Sequence, residues 1–199
     1  MRNISATLSV SMDGVIQAPG RPDEDTRDGF DRGGWAVPYN DEVMAQRMGE
    51  AMSSSGVMLF GRRTYQDFYG YWPRQTDNPF TPYLNQATKY VVSSTLSEPL
   101  PWENSILLPG DPAASVAQVK SEPGPDLGIV GSAQLVRSLF AAKLIDRYVL
   151  LIHPLVLGQG RRLFDDSGPG DHFELVDSAV TTKGVIITTY QRDADQAAN

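Results

Sequence analysis

Leu127-Gly128-Ile129-Val130-Gly131-Ser132-Ala133-Gln134-Leu135-Val136, continued through Leu139, Phe140 and Leu144, is the stretch that decides the architecture. Leu127 to Val130 has strand character and ends at a glycine. The apolar residues that follow recur along one stripe at helical spacing, so Gly131 opens a helix. Arg147 to Leu157 then reads as a long buried strand, interrupted only by His153-Pro154. Strand, helix, strand in that order is the unit from which parallel sheets are built. The chain reads as α/β.

Working upstream, Ile4, Ala6, Leu8 and Val10 alternate with Ser5, Thr7 and Ser9, a strand with one buried face that stops at the Asp13-Gly14 turn. Residues 17–40 carry Pro19, Gly20, Pro22, Gly29, Gly33 and Gly34 without periodicity. A loop of that length in a compact domain is either functional or disordered. Its aromatic end, Trp35 to Tyr39, reads as an ordered wall. Asn40 or Asp41 can cap a helix carrying Met44, Met48 and Met52, which ends at Gly56; the methionines read as core or dimer surface. Val57 to Phe60 is a short buried strand, and Gly61 opens a second helix with Thr64, Tyr65, Phe68 and Tyr69. Residues 70–87, with Pro73, Pro79 and Pro82, read as a loop before the strand at 88–93. Ser105 to Leu108 is a further strand, and Asp111-Pro112 starts a helix with an acid cap followed by proline.

Downstream, Phe173 to Asp177 and Gly184 to Gln191 read as an antiparallel pair, leaving a frayed polar tail at 193–199. The expectation is one domain over 1–192, with eight strands, four helices and a mostly parallel sheet. A length of 199 residues suits one domain, and 41% apolar residues suffice for a sizeable core.

Charge and composition narrow the functions. Lys and Arg total 17 against 24 Asp and Glu, a net charge of −7 that argues against a partner with a phosphate backbone or an anionic membrane. With no cysteine there is no disulfide, thiolate metal site or Cys nucleophile. His153 and His172, the only histidines, lie far apart in sequence, so no metal is expected. His153 reads as hydrogen-bonded structure. No signal peptide and no apolar window near the ~20 residues of a membrane span is visible, so the expected location is the cytoplasm.

Three junctions follow the carboxyl ends of sheet strands, the edge where open α/β sheets bind ligands. In Phe60-Gly61-Arg62-Arg63-Thr64 two guanidinium groups flank a helix start, which favours an anion. Ser93-Ser94-Thr95 offers three hydroxyls able to donate to phosphate or ribose. Gly131-Ser132-Ala133-Gln134-Leu135 is a small-residue turn that lets backbone approach a pyrophosphate closely. Each alone also fits an ordinary turn or a solvated strand end. Asp41 is equally a helix cap or a functional acid, and Trp35 and Tyr39 are equally loop anchors or a stacking platform.

The opening Ile4 to Ile16, the Gly61-Arg62-Arg63-Thr64 junction and the Ser93-Ser94 strand end resemble dihydrofolate reductase. The block His153-Pro154-Leu155-Val156-Leu157-Gly158-Gln159-Gly160-Arg161-Arg162-Leu163-Phe164 is more similar to the reductase domain of riboflavin-biosynthesis deaminase-reductases and their stand-alone relatives. The resemblance covers about residues 3–191. It implies the three-layer fold of that family, with an eight-stranded, mostly parallel sheet, helices on both faces and a C-terminal antiparallel hairpin. It also implies an NADPH-dependent reductase, generally a homodimer, acting on a small-molecule substrate that is pyrimidine-ribosylamine-like or pterin-like.

Position by position, the resemblance assigns Gly61, Arg62 and Thr64 to the pyrophosphate and adenosine ribose, and Ser93 and Ser94 with Arg62 to the 2′-phosphate. Gly131, Ser132, Ala133, Gln134 and Leu135 lie under the pyrophosphate, with Ser132 standing where relatives commonly have a second glycine. On the substrate side Asp41 corresponds to an acid that orients or protonates, with Trp35, Tyr39, Gly158 and Gly160 nearby. The rival readings are a non-catalytic NADP-binding module or sensor and a structural homodimer without cofactor. The zinc-dependent deaminase of the bifunctional enzymes is not expected within these residues, which contain no cysteine.

Overall fold

Ile4, Ala6, Leu8 and Val10 are all buried on one face of the first strand, as their alternation requires. In the computed structural model, residues 1–78, 80–164 and 170–193 are described, without the side chains of 52–55. The elements are β1 (Ile4–Ser11), α1 (Glu42–Ser55), β2 (Val57–Gly61), α2 (Arg62–Tyr71), α3 (Phe80–Gln86), β3 (Thr88–Val92), β4 (Ser105–Leu108), α4 (Pro112–Ser121), β5 (Leu127–Val130), α5 (Ala133–Ala141), β6 (Arg147–His153), β7 (Phe173–Val180) and β8 (Ile186–Arg192). All eight strands join one sheet in the order β4-β3-β2-β5-β1-β6-β8-β7. The first six run parallel. β8 pairs antiparallel with both β6 and β7, completing the α/β fold expected from the sequence.

Pleating sends alternate side chains to two cores. Val57 and Leu59 of β2 join the β1 residues against Val116 and Val119 of α4 and Leu135, Val136 and Leu139 of α5. Met58 and Phe60 point the other way, to Tyr65 of α2, Leu84 of α3 and Trp102. α1 covers this second face further along, where Met44 packs on Leu151, Val185 and Ile187. Helices therefore lie on both faces of the sheet.

Three expectations change in detail. A fifth helix, α3, occupies part of the proline-rich stretch at 70–87. β6 ends at His153 rather than at Leu157, because Pro154 has no amide to continue the ladder. The helix at Gly131 begins at Ala133 and ends at Ala141, short of Leu144. The expected frayed tail falls almost wholly on 194–199, outside the described residues; Asp193 still donates its amide to the His172 carbonyl at 3.2 Å.

The segment between β1 and α1 is ordered by a small core of its own. Val15, Ala18, Phe30, Trp35, Ala36 and Leu157 bury one another apart from the sheet's two cores. Gln17 laces it: its Nε2 donates to the Asp25 and Arg27 carbonyls, both at 3.1 Å, and its Oε1 accepts the Arg161 amide at 3.0 Å.

Candidate functional site

The carboxyl edge of the parallel strands brings two of the three junctions into contact. Gly61, at the end of β2, donates its amide to Ser132 Oγ at 3.1 Å, linking the head of α2 to the head of α5. Ser132 is buried and holds a left-handed backbone, φ 56° and ψ 48°, so its hydroxyl turns toward β2 instead of capping its own helix. Gly131 is also left-handed, at φ 68°, and a Cβ there would sit 3.5 Å from Thr64 Cγ2. Leu135 is buried beneath Gly61, whereas Gln134 is exposed at the helix start. The third junction continues the same edge, since Gly61 pairs with Val92 and Ser93 is the next residue. Ser93 Oγ accepts the amides of Thr95 and Leu96 at 3.1 and 3.0 Å, closing a turn that leaves Ser94 exposed.

Helix ends distinguish this rim from the rest of the molecule. Asp41 caps α1 and Asp111 caps α4, each accepting a first-turn amide, at 2.8 and 2.9 Å. α2 and α5 have neither a side-chain cap nor an acid in the first turn. Their first amides and the positive ends of their dipoles face the rim together, and α2 adds Arg62 and Arg63 at the very end where a cation is least welcome. That arrangement favours a bound anion. Arg62 Nη1 donates to Gln66 Oε1 at 3.2 Å, which lays its guanidinium along the first turn of α2. Uncapped amides, adjacent hydroxyls and guanidinium groups form a donor set that fits a phosphorylated dinucleotide.

The β1 and β6 end of the edge is built differently. Asp13, read in the sequence only as a turn signal, ties the turn after β1 to the segment after β6. Its carboxylate accepts the Ser11 hydroxyl at 2.6 Å and the amides of Leu157 and Gly158 at 3.0 and 2.8 Å. Burial works against its charge, but these hydrogen bonds outweigh it and pull the carboxyl down to about 2. Gly160 is a packing glycine: at φ 111°, a Cβ would come within 2.7 Å of Val15 Cγ1 and 2.8 Å of Phe30 Cε2. Gly158, at φ 75°, has open space around it.

Trp35 is buried and donates Nε1 to the Gln17 carbonyl at 2.7 Å. It and half-buried Tyr39 stand edge-on to His153, with ring centroids at 5.2 and 5.4 Å and interplanar angles of 88° and 77°. His153 corrects the expectation of a hydrogen-bonded histidine. It is fully buried, and neither ring nitrogen has a hydrogen-bond partner among the described residues. Burial alone pushes its pKa down to about 4, so the ring is neutral at pH 7. The rings of Trp35 and Tyr39 pack against the imidazole and keep water from it, leaving its two nitrogens without a hydrogen bond among the described residues.

Asp41 is occupied on both oxygens. Oδ1 accepts the Met44 amide, and Oδ2 accepts both the amide and the hydroxyl of Thr182 at 2.7 Å. The Thr182 hydroxyl above all holds this carboxyl below its usual range. The rim residues thus converge, while Asp41, Trp35 and Gly160 are engaged in holding the protein together. Among the described residues no group of three His, Asp or Glu could hold a metal, and no helix is long and apolar enough to cross a membrane.

Known proteins agree with this architecture. A crystal structure of a putative riboflavin biosynthesis protein from Shewanella sp. PV-4 superposes with a TM-score of 0.64 at 22% identity, covering 97% of this chain and 99% of that one. A pyrimidine reductase-like protein from Corynebacterium diphtheriae gives a TM-score of 0.64 at 14% identity, covering 98% and 93%. Dihydrofolate reductase from Enterococcus faecalis, complexed with NADP(H), gives 0.61 at 14% identity, covering 96% of each chain. In sequence, the uncharacterized protein YyaP of Bacillus subtilis (strain 168) is 26% identical over 196 residues, 95% of this chain and 94% of its own. Residues 2–187 match the RibD C-terminal domain, nearly the whole length, and the chain belongs to that family.

Proposed function

We propose that the protein is a reductase that delivers hydride from NADPH to the carbon of a C=N or C=O group in a small heterocyclic substrate. Family membership supports a reductase type of activity. The observation that carries the cofactor half is the pair of uncapped helix starts, α2 and α5, joined through Gly61 and Ser132 and flanked by Arg62. In this reading the first amides of α2 and α5, from Arg62 and from Ala133 and Gln134, receive the pyrophosphate. Gly131 and Gly61 keep side chains out of its way, and the Thr64 hydroxyl serves the ribose. Arg62, Ser93 and Ser94 receive the 2′-phosphate, where a dianion calls for a cation as well as hydroxyls. Leu135 acts from beneath, as packing under Gly61.

When bound, the nicotinamide supplies the hydride. The chain binds, orients and excludes water. Trp35 and Tyr39, with the 158–160 segment, form the wall over the β1 and β6 end. Asp41 acts there as a positioning residue, fixing the first turn of α1 against Thr182, since all of its short contacts are already committed.

Thermal melting with NADPH, NADH or neither tests the reading. Stabilisation of about 2.7 kcal/mol is expected at a hundredfold excess of NADPH over its Kd. Arg62→Ala should weaken NADPH more than NADH. The absence of any shift with NADPH would defeat the cofactor assignment. A shift without NADPH oxidation across dihydropterins, pyrimidine ribosylamines and quinoid compounds would instead identify a binding module.

A further inference from the structure

We infer that Arg21 is a positioning residue that couples helix α2 to the wall over the β1 and β6 end, so that filling the phosphate site firms the wall. The inference rests on the reductase reading above and adds a link between its cofactor and substrate halves. The contacts begin on α2, where Asp67 and Tyr71 stand one turn apart on the same side of the helix. Between them they hold Arg21. Its Nη2 donates to the Asp67 carboxylate, and its guanidinium carbon lies 4.9 Å from the centre of the Tyr71 ring. The same side chain reaches Asp23 at 3.5 Å. Glu24 Oε2 accepts the Gly20 and Arg21 amides at 2.7 and 3.1 Å, which closes the 20–24 turn on itself.

From Arg21 the contact passes to the wall through backbone. Gly33 packs so closely on the turn that a Cβ there would fall 2.7 Å from the Arg21 carbonyl oxygen and 2.6 Å from that of Pro22. Gly34 donates its amide to the Ala18 carbonyl at 2.8 Å, and Ala36 to the Pro19 carbonyl at 3.1 Å. Those two bonds bracket Trp35, which stands edge-on to His153 at the end of β6. The segment is fastened beyond β6 as well, by Gln17 to the Arg161 amide and by Arg161 to Asp28. In the sheet β5 and β1 separate β2 from β6, so the segment runs from α2, which follows β2, across the ends of both. Close-packed backbone transmits strain and does not absorb it. The uncapped first turn of α2 receives the anion in the reading above, and Asp67 lies in the following turn. An anion there holds that end of the helix against fraying. Asp67 and Tyr71 are thereby fixed and, through Arg21, so is the limb that carries Trp35. Such coupling is reciprocal, so a substrate that orders the wall tightens the cofactor in turn.

Adenosine 2′,5′-bisphosphate tests this, because it offers the phosphates without a nicotinamide that could touch the wall directly. At saturation it is expected to slow hydrogen exchange of the Gly34 and Ala36 amides about fivefold in the unaltered protein. Arg21→Gln and Asp67→Ala should each abolish that slowing in protein still saturated with the bisphosphate. Asp67→Glu, which keeps the carboxylate, should retain it. Slowing that survives either of the first two substitutions, or is lost in the third, overturns the inference. So does bisphosphate that binds the unaltered protein and leaves both amides exchanging as before. Failure of the bisphosphate and of NADPH to bind at all defeats the reductase reading, and this inference with it.

Discussion

Ser132 carries two opposed effects in one residue. Its left-handed backbone is strained for anything but glycine, while its hydroxyl satisfies the Gly61 amide. Ser132→Ala keeps the strain and removes the acceptor, so a loss of about 1 kcal/mol in urea unfolding is expected. Ser132→Gly relaxes the backbone as it removes the same bond and should change stability by less than about 0.5 kcal/mol. His153 makes a prediction in pH. Its pKa is about 4 in the folded protein against 6.5 ordinarily. Between those values the unfolded chain binds a proton that the native ring refuses, so stability falls as pH drops through that window, by roughly 3 kcal/mol in all. Denaturant titrations at pH 7, 5.5 and 4.5 should show this slope, and His153→Phe should flatten it. Neither residue's role was legible beforehand. Ser132 looked like an intruder in a glycine turn, and only the neighbouring strand explains it. His153 looked hydrogen-bonded because sequence does not reveal that two aromatic rings, 114 or more residues away along the chain, close around it.

Secondary structure was readable wherever pattern and cap agreed. α1 and α4 begin at the aspartates that announced them, and the apolar residues of β1 mark its core face, although Thr7 and Ser11 on the opposite face are buried as well, so the strand is covered on both sides. α3 was hidden because its Pro82 resembles a helix breaker. In Phe80-Thr81-Pro82 that proline falls in the first turn, where amides have no helical partner to lose. The contrast between capped and uncapped helices yields a sharp substitution. Gly61 has φ −78° and ψ 154°, normal for a capping residue, and a Cβ there would meet nothing nearer than 3.5 Å. Gly61→Asp should therefore fold, and it should gain up to about 1 kcal/mol from capping α2. It should also weaken NADPH binding by at least about tenfold, because a fixed carboxylate would occupy the anion's place. A stabilised variant that binds NADPH as before would contradict the assignment of the rim.

At the scale of the molecule, the one-sheet α/β design was legible from strand and helix order, while the antiparallel insertion of β8 between β6 and β7 was not, since only pairing partners reveal it. That insertion puts β7 at an edge with Leu175, Val176 and Val180 exposed at 56%, 50% and 68%. An apolar edge strand invites a second copy, and an antiparallel two-fold pairing would satisfy both backbones at once. If the expected homodimer uses this edge, Val176→Lys with Val180→Lys should yield monomers by light scattering; an unchanged mass would move the contact elsewhere. A different consequence follows from the small core of Val15, Ala18, Phe30, Trp35, Ala36 and Leu157. Because that cluster is separate from the sheet's own, the segment above the β1 and β6 end can detach without melting the strands below. Its amides, from about Ala18 to Ala36, should exchange with deuterium well before those of β1. The polypeptide would then behave as two thermodynamic bodies, a durable floor and a roof that breathes on its own clock.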